Sequence, residues 1–192
     1  LETAVLCYHG FSKNKENRYT IDPLEFEKQL EKIKKFSKFI NIDQLFTDGW
    51  KKQSSILMTI DDGYRDVFNV VPIIKKYKIP VVLFVLSDPE HAERSELDHN
   101  GELLSWKDIK YLHSLGFTIG CHSATHADFK SLDKKQVEQE IVSAKKTLEE
   151  KLGFTIDYFA YPKGVFNKQI IAAVKKAGYK AAFAVAPGSI TY

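Results

Sequence analysis

Two adjacent aspartates, a pair of histidines four positions apart and an early third histidine are the residues of this chain best suited to chemistry. They stand as Asp61-Asp62-Gly63, His122-Ser123-Ala124-Thr125-His126 and Tyr8-His9, and Tyr161-Pro162-Lys163-Gly164 follows further on. The His122–His126 spacing would put both rings on one side of a helical turn. Imidazoles so placed bind a divalent cation, and a carboxylate from another segment completes a set of three ligands. Three protein ligands leave positions open for water and substrate, as a catalytic metal site requires. Asp62, His122 and His126 are the candidate ligands.

Two neighbouring carboxylates on an extended chain point in different directions and suit two tasks. Asp62 can hold the cation while Asp61, unbound, takes a proton from the water that the cation acidifies. Ser123 and Thr125 lie between the histidines and could orient a ring. The leaving group then needs an acid. His91, His99 and His113 fall in a polar loop or a helix, whereas His9 follows an apolar run, so His9 is the candidate acid. Each feature also has a plainer explanation: one Asp before Tyr64 would cap a helix, and a lone histidine is often structural.

These segments depend on the elements that position them. Apolar runs at Ala4–Tyr8, Ile56–Ile60, Val81–Leu86, Phe117–Cys121, Tyr158–Tyr161 and Ala181–Ala186 are β-rich at successive positions, as in parallel strands covered on both faces. Helical patterns alternate with them. Asp22 and Pro23 open one that carries Leu24, Leu30, Ile33 and Phe36. Tyr64–Tyr77 forms the next, and Ser105 with Asp108 opens Trp106–Leu115, closed by Gly116. Asp133 starts a long helix ending at Gly153, with Val137, Ile141, Ala144 and Leu148 inward. Asn167 caps the last, Gln169–Ala177. This rhythm implies right-handed crossovers and either a barrel or a doubly wound sheet, within one domain over residues 1–192. The chemically capable residues all follow strands, and the C-terminal ends of parallel strands share one face. Two long stretches, Phe11–Ile21 and Ser87–Leu104, have the length of binding loops.

Composition excludes several classes. The chain has 192 residues, 44% hydrophobic and 28% charged, and its 28 basic residues are interleaved with 25 acidic ones for a net charge of +3. A nucleic-acid footprint would cluster one sign of charge, so no nucleic-acid partner is expected. The most apolar run, Val81–Leu86, is strand-length, and no transmembrane segment is expected. The chain starts at Leu1, as an exported protein without its leader would, so a secreted, periplasmic or cell-surface location is favoured with a cytoplasmic one still open. Cys7 and Cys121 read as two small buried thiols.

Taken together, these segments resemble the polysaccharide deacetylases of carbohydrate esterase family four, the NodB-homology domain. Thr59-Ile60-Asp61-Asp62-Gly63 is similar to that family's first motif, His122-Ser123-Ala124-Thr125-His126 to its second, and Phe159-Ala160-Tyr161-Pro162-Lys163-Gly164 to its third. The resemblance implies a distorted or incomplete (β/α) barrel of parallel strands, and one divalent ion, zinc or else cobalt, nickel or iron, on Asp62, His122 and His126. It implies Asp61 as base, an oxyanion site that includes the Lys163 backbone N–H, substrate contacts from Tyr161, Pro162 and Tyr64, and an N-acetylated polysaccharide or oligosaccharide substrate. The chain departs from the pattern at Ala160, where many members carry an arginine, at Lys163 in place of tyrosine, and in showing no late histidine motif before Tyr192, the alternative being that the acid lies beyond that residue. A subgroup acting on poly-N-acetylglucosamine resembles it in having an early Tyr-His, here Tyr8-His9, as the acid.

Competing readings are a catalytically impaired carbohydrate-binding relative, a deacylase of a smaller N-acylated compound, a metal-free glycosidase and a metal-bound oxygenase. The glycosidase leaves the two histidines unexplained. Tyr19, Tyr64, Trp106 and Phe129 could stack on sugar rings from the loops, and each could equally belong to the core.

Overall fold

The computed structural model describes residues 3–14, 18–47, 54–92 and 101–185. His99, the middle of the second long stretch and the end of the last apolar run at Ala186 lie outside them.

A seven-stranded sheet, every pairing parallel, forms the frame: β1 (Thr3–Tyr8), β4 (Lys38–Phe39), β5 (Ser55–Ile60), β6 (Val81–Val85), β7 (Thr118–Cys121), β8 (Tyr158–Ala160) and β9 (Ala181–Phe183). The order is β1-β5-β6-β7-β8-β9, and β4 pairs with the start of β5. The sheet curls into a half-barrel, which is the distorted (β/α) barrel rather than the doubly wound alternative. Helices α1 (Pro23–Ile33), α2 (Val71–Tyr77), α3 (Trp106–Ser114), α4 (Lys134–Glu138), α5 (Ala144–Leu152) and α6 (Lys168–Lys176) connect the strands.

Both faces of the central strands β5 to β8 are covered, which explains their uninterrupted apolar runs. Met58, Ile60, Leu83, Val85 and Ile119 face the helices and meet Phe26, Leu30, Ile74, Leu112 and Leu148. Leu57, Val82, Phe84 and Tyr158 point the other way, onto Ile40, Ile42 and Leu45. The last two come from a 3-10 segment, Ile42–Phe46, that caps this inner face, and the Tyr158 hydroxyl fixes it by donating to Asp43 at 2.5 Å. The close approach at Gly120 admits no side chain: a Cβ there would lie 2.4 Å from Phe84 ring carbons.

Local chemistry sets the helix ends. Asp22, Ser105, Asp133 and Asn167 each accept a backbone N–H at a helix start. Gly116, Gly153 and Gly178 follow helix ends with positive φ.

Four local expectations need correction. Leu24 and Phe36 are 59% and 83% exposed; Phe26, with Leu30, is the inward residue of α1. Tyr64–Tyr77 is not one helix but a 3-10 turn, Arg65–Asn69, followed by α2. The long helix from Asp133 is interrupted by a π turn over Gln139–Ser143. The first long stretch contains two short paired strands, β2 (Gly10–Phe11) and β3 (Thr20–Ile21).

Candidate metal centre

The strand ends bring the sequence motifs together. The β1–β5 ladder continues past both strands, with the Asp61 N–H donating to the Tyr8 carbonyl at 2.9 Å, so His9 and the aspartates leave the sheet side by side. The β6 and β7 exits are likewise joined: His122 N–H donates to Val85, Ser87 to Ser123 and Asp88 to Ala124. Behind His9, the Asp66 carboxylate accepts the Phe11 N–H at 2.8 Å and Asn69 donates to the Phe11 carbonyl at 2.9 Å.

Asp62 Oδ1 lies 3.4 Å from His122 Nε2 and 3.6 Å from His126 Nε2. The three donor atoms lie within 4.8 Å of one another and all three residues are buried. Neither Asp62 oxygen has a hydrogen-bond partner, an expensive condition for a buried carboxylate. Ligands about 2.1 Å from a tetrahedral cation stand about 3.4 Å apart, so the spacing fits a shared ion. His122 Nδ1 meets the Ala160 carbonyl at 2.9 Å. A carbonyl only accepts, so Nδ1 carries the proton and Nε2 keeps its lone pair toward Asp62.

Burial works against charge here, but the neighbours outweigh it. The imidazoles of His122, His9 and His126 hold the Asp62 carboxyl below its ordinary range. Asp62 and Asp61 in turn raise His122. Asp61, 5% exposed, is pushed up by burial despite the nearby histidines. Its Oδ2 accepts the Cys7 S–H at 3.3 Å, and its Oδ1 has no hydrogen-bond partner.

The His122–His126 segment is a loop, not the helical turn that the spacing suggested. Ser123 and His126 have φ of 70° and 62°. Asp62 and Lys163, at 73° and 56°, share this left-handed conformation, so four of the five such non-glycine residues described belong to these motifs. Strain of this kind gathers where function demands a side-chain direction. The Ser123 hydroxyl accepts the His126 N–H at 3.0 Å. Glu140, in the π turn, accepts the N–H groups of Ala124 and Thr125 and the Thr125 hydroxyl.

Glu140, the Ala160 carbonyl and Cys7 were missed by sequence reasoning. Glu140 had a signal, because it lies three residues after Val137 and one before Ile141 on the inward face of its helix. Ala160 packs its side chain among Phe84 and Tyr158 in the inner cluster, where an arginine would be buried in apolar surroundings.

The remaining candidates are more scattered. His9 is half-buried, with its ring 5.1 Å from that of Tyr19. Tyr161 and Pro162 are buried after β8, and Lys163 is exposed. Tyr64 and Phe129 are each 2% exposed, so of the two places open to them both take the core, and Tyr64 is corrected from a substrate contact to a buried residue. Trp106 is half-buried and lines a cleft of about 530 Å³ with Leu86, Ser87, Asp88 and Leu103, beside the His122 loop. His91 pairs with Asp88 on the surface, and His113 stacks on Phe154.

Comparison with known proteins agrees with this arrangement. Residues 48–182 match the family described as polysaccharide deacetylase. Poly-beta-1,6-N-acetyl-D-glucosamine N-deacetylase of Staphylococcus aureus is 27% identical, covering 94% of this chain and 67% of that protein. The Bacillus subtilis protein YxkH is 25% identical over 146 residues, covering 76% of this chain and 50% of its own. The chain therefore spans half to two thirds of these curated relatives. The fold is that of IcaB from Ammonifex degensii, with a TM-score of 0.81 at 24% identity over 96% of this chain and 84% of that one. Streptococcus pyogenes deacetylase PplD, in complex with acetate, superposes with a TM-score of 0.78 at 21% identity, over 94% and 82% of the two chains.

Proposed function

The chain belongs to the polysaccharide deacetylase family, and on that premise we propose that it hydrolyses the N-acetyl amides of an N-acetylglucosamine-containing polysaccharide at a divalent cation held by Asp62, His122 and His126. The observation that carries this reading is the pairing of two adjacent buried carboxylates with different surroundings. Asp62 faces two imidazoles at cation-sharing distances, and Asp61 turns aside to Cys7. A binding module would need the first arrangement only.

A cation in this site, zinc for preference given the nitrogen and carboxylate donors, would polarise the acetyl carbonyl and acidify water. Asp61 removes the proton of the attacking water at Oδ1, the oxygen that Cys7 leaves free. Burial, by raising its pKa, makes it a better base than an exposed aspartate. His9, at the neighbouring strand exit, donates the proton to the departing amine. The Lys163 backbone N–H, in a left-handed turn just after β8, serves as donor to the developing oxyanion, a contribution on the order of 3 kcal/mol. Tyr161, Pro162 and the cleft beside Trp106 hold the sugar. The name of the staphylococcal relative supports a poly-N-acetylglucosamine substrate. Action on such a polymer would suit a secreted, periplasmic or cell-surface location; among the described residues no helix is long and apolar enough to cross a membrane. The seven-stranded sheet, which takes strands from Thr3 to Phe183, supports reading residues 1–192 as one domain.

Asp61→Asn tests the reading. The variant keeps its metal and loses acetate release from poly-N-acetylglucosamine; retained release would remove Asp61 from its role.

A further inference from the structure

A second set of donors stands beside the first. Cys7 and His9 are two positions apart, so on an extended chain their side chains leave the same face. A sulfur, a ring nitrogen and a carboxylate oxygen of Cys7, His9 and Asp61 all lie within 4.8 Å of one another. Asp61 is 5% exposed, and its Oδ1 is buried without a hydrogen-bond partner. Cys7 and His9 are only half-buried, which leaves the cluster open to an incoming ion.

We propose that Cys7, His9 and Asp61 form a second, inhibitory site for a thiophilic divalent cation such as zinc or cadmium. The 3.3 Å between Cys7 Sγ and Asp61 Oδ2 is close to the roughly 3.5 Å that separates a sulfur and an oxygen on one tetrahedral zinc. One thiolate and one carboxylate balance the two positive charges, and the imidazole adds a neutral donor. The sulfur–metal bond forms as the S–H bond breaks, the proton passes to solvent, and nothing is oxidised. A thiolate selects zinc or cadmium over magnesium and calcium. Occupation engages the lone pairs of Asp61 and His9 and so stops turnover. That consequence rests on the proposed function; the binding itself does not.

Cadmium titration followed by its ultraviolet thiolate charge-transfer band, together with metal content after gel filtration, separates the two. Wild-type protein takes up about two cadmium ions per chain and shows the band. Cys7→Ser and Cys7→Ala each lose the band and one equivalent, whereas Cys121→Ser keeps both. His122→Ala loses an equivalent and keeps the band. No band in wild-type protein, or a band that survives in the Cys7 variants, overturns the site whether or not the protein deacetylates anything. With an active preparation, excess zinc inhibits the wild type and spares Cys7→Ser; equal inhibition of both would remove the inhibitory role.

Discussion

Glu140 binds Thr125 twice, accepting its backbone N–H on one oxygen and its hydroxyl on the other, each at 2.9 Å. Its Oε2 also takes the Ala124 N–H at 3.0 Å. A buried carboxylate thus secures the loop between His122 and His126, its charge-assisted hydrogen bonds offsetting the strained backbone there.

Glu140→Ala removes the acceptor of the Thr125 N–H and hydroxyl, leaves the Ala124 N–H only the carbonyl of residue 140, and loosens both histidines. Metal affinity should fall about 10–100-fold. Competition with a chelator at constant pH measures it. Unchanged affinity would mean the loop holds its shape unaided.

Protons compete with metal for His122. Burial disfavours the charged ring, but Asp62 and Asp61 prevail and raise its pKa. A raised pKa means that Nε2 becomes protonated at a higher pH than an ordinary imidazole does. Metal occupancy should therefore be greatest in alkaline solution and decline as the pH is lowered, protons competing for Nε2 from a higher pH than at an ordinary imidazole. Dialysis at stepped pH followed by metal analysis traces the loss, and occupancy constant into the acid range would contradict the assignment.

His9→Ala removes the proposed acid and leaves the Asp62 ligand set whole. Turnover should drop by about 10²–10⁴-fold with the first metal equivalent retained. An unaltered rate would place the acid on another residue.

Gly120→Ala sets a Cβ 2.4 Å from the Phe84 ring. A cost of about 1–3 kcal/mol is expected in denaturant unfolding, as for other overpacked cores. Phe84→Leu in the same chain should recover part of it.

The strands and the main motifs were legible because both follow local rules. Apolar β-rich runs mark covered strands, and all but the last fell within about one residue of the observed ends; the last, Ala181–Ala186, ran three residues past the end of β9 at Phe183. Convergence of Asp62 with the histidines followed from the parallel topology alone. What escaped is non-local or brief. Pairs such as Lys38–Phe39 gain their strand character from a neighbour, not from their own pattern. The left-handed turns at Asp62, Ser123 and His126 do not appear in periodicity, since nothing in residue type demands φ above zero there. Tyr64 looked exposed beside a polar motif, yet the bridge to Leu103 carries a segment over it. Leu24 and Phe36 matched a helical period whose inward face Phe26 in fact defines.

The π turn at Gln139–Ser143 gives the helical stretch one residue more than a regular spiral would need over the same span. Each residue of an α-helix turns the chain by about 100°. Shortening the turn by a single position would restore regular winding, yet would swing Glu140 away from Thr125 or drive Leu148 off the sheet. The length of this stretch is thus constrained, and a one-residue deletion here, at least thirteen positions along the chain from His126, would be felt at the candidate metal site.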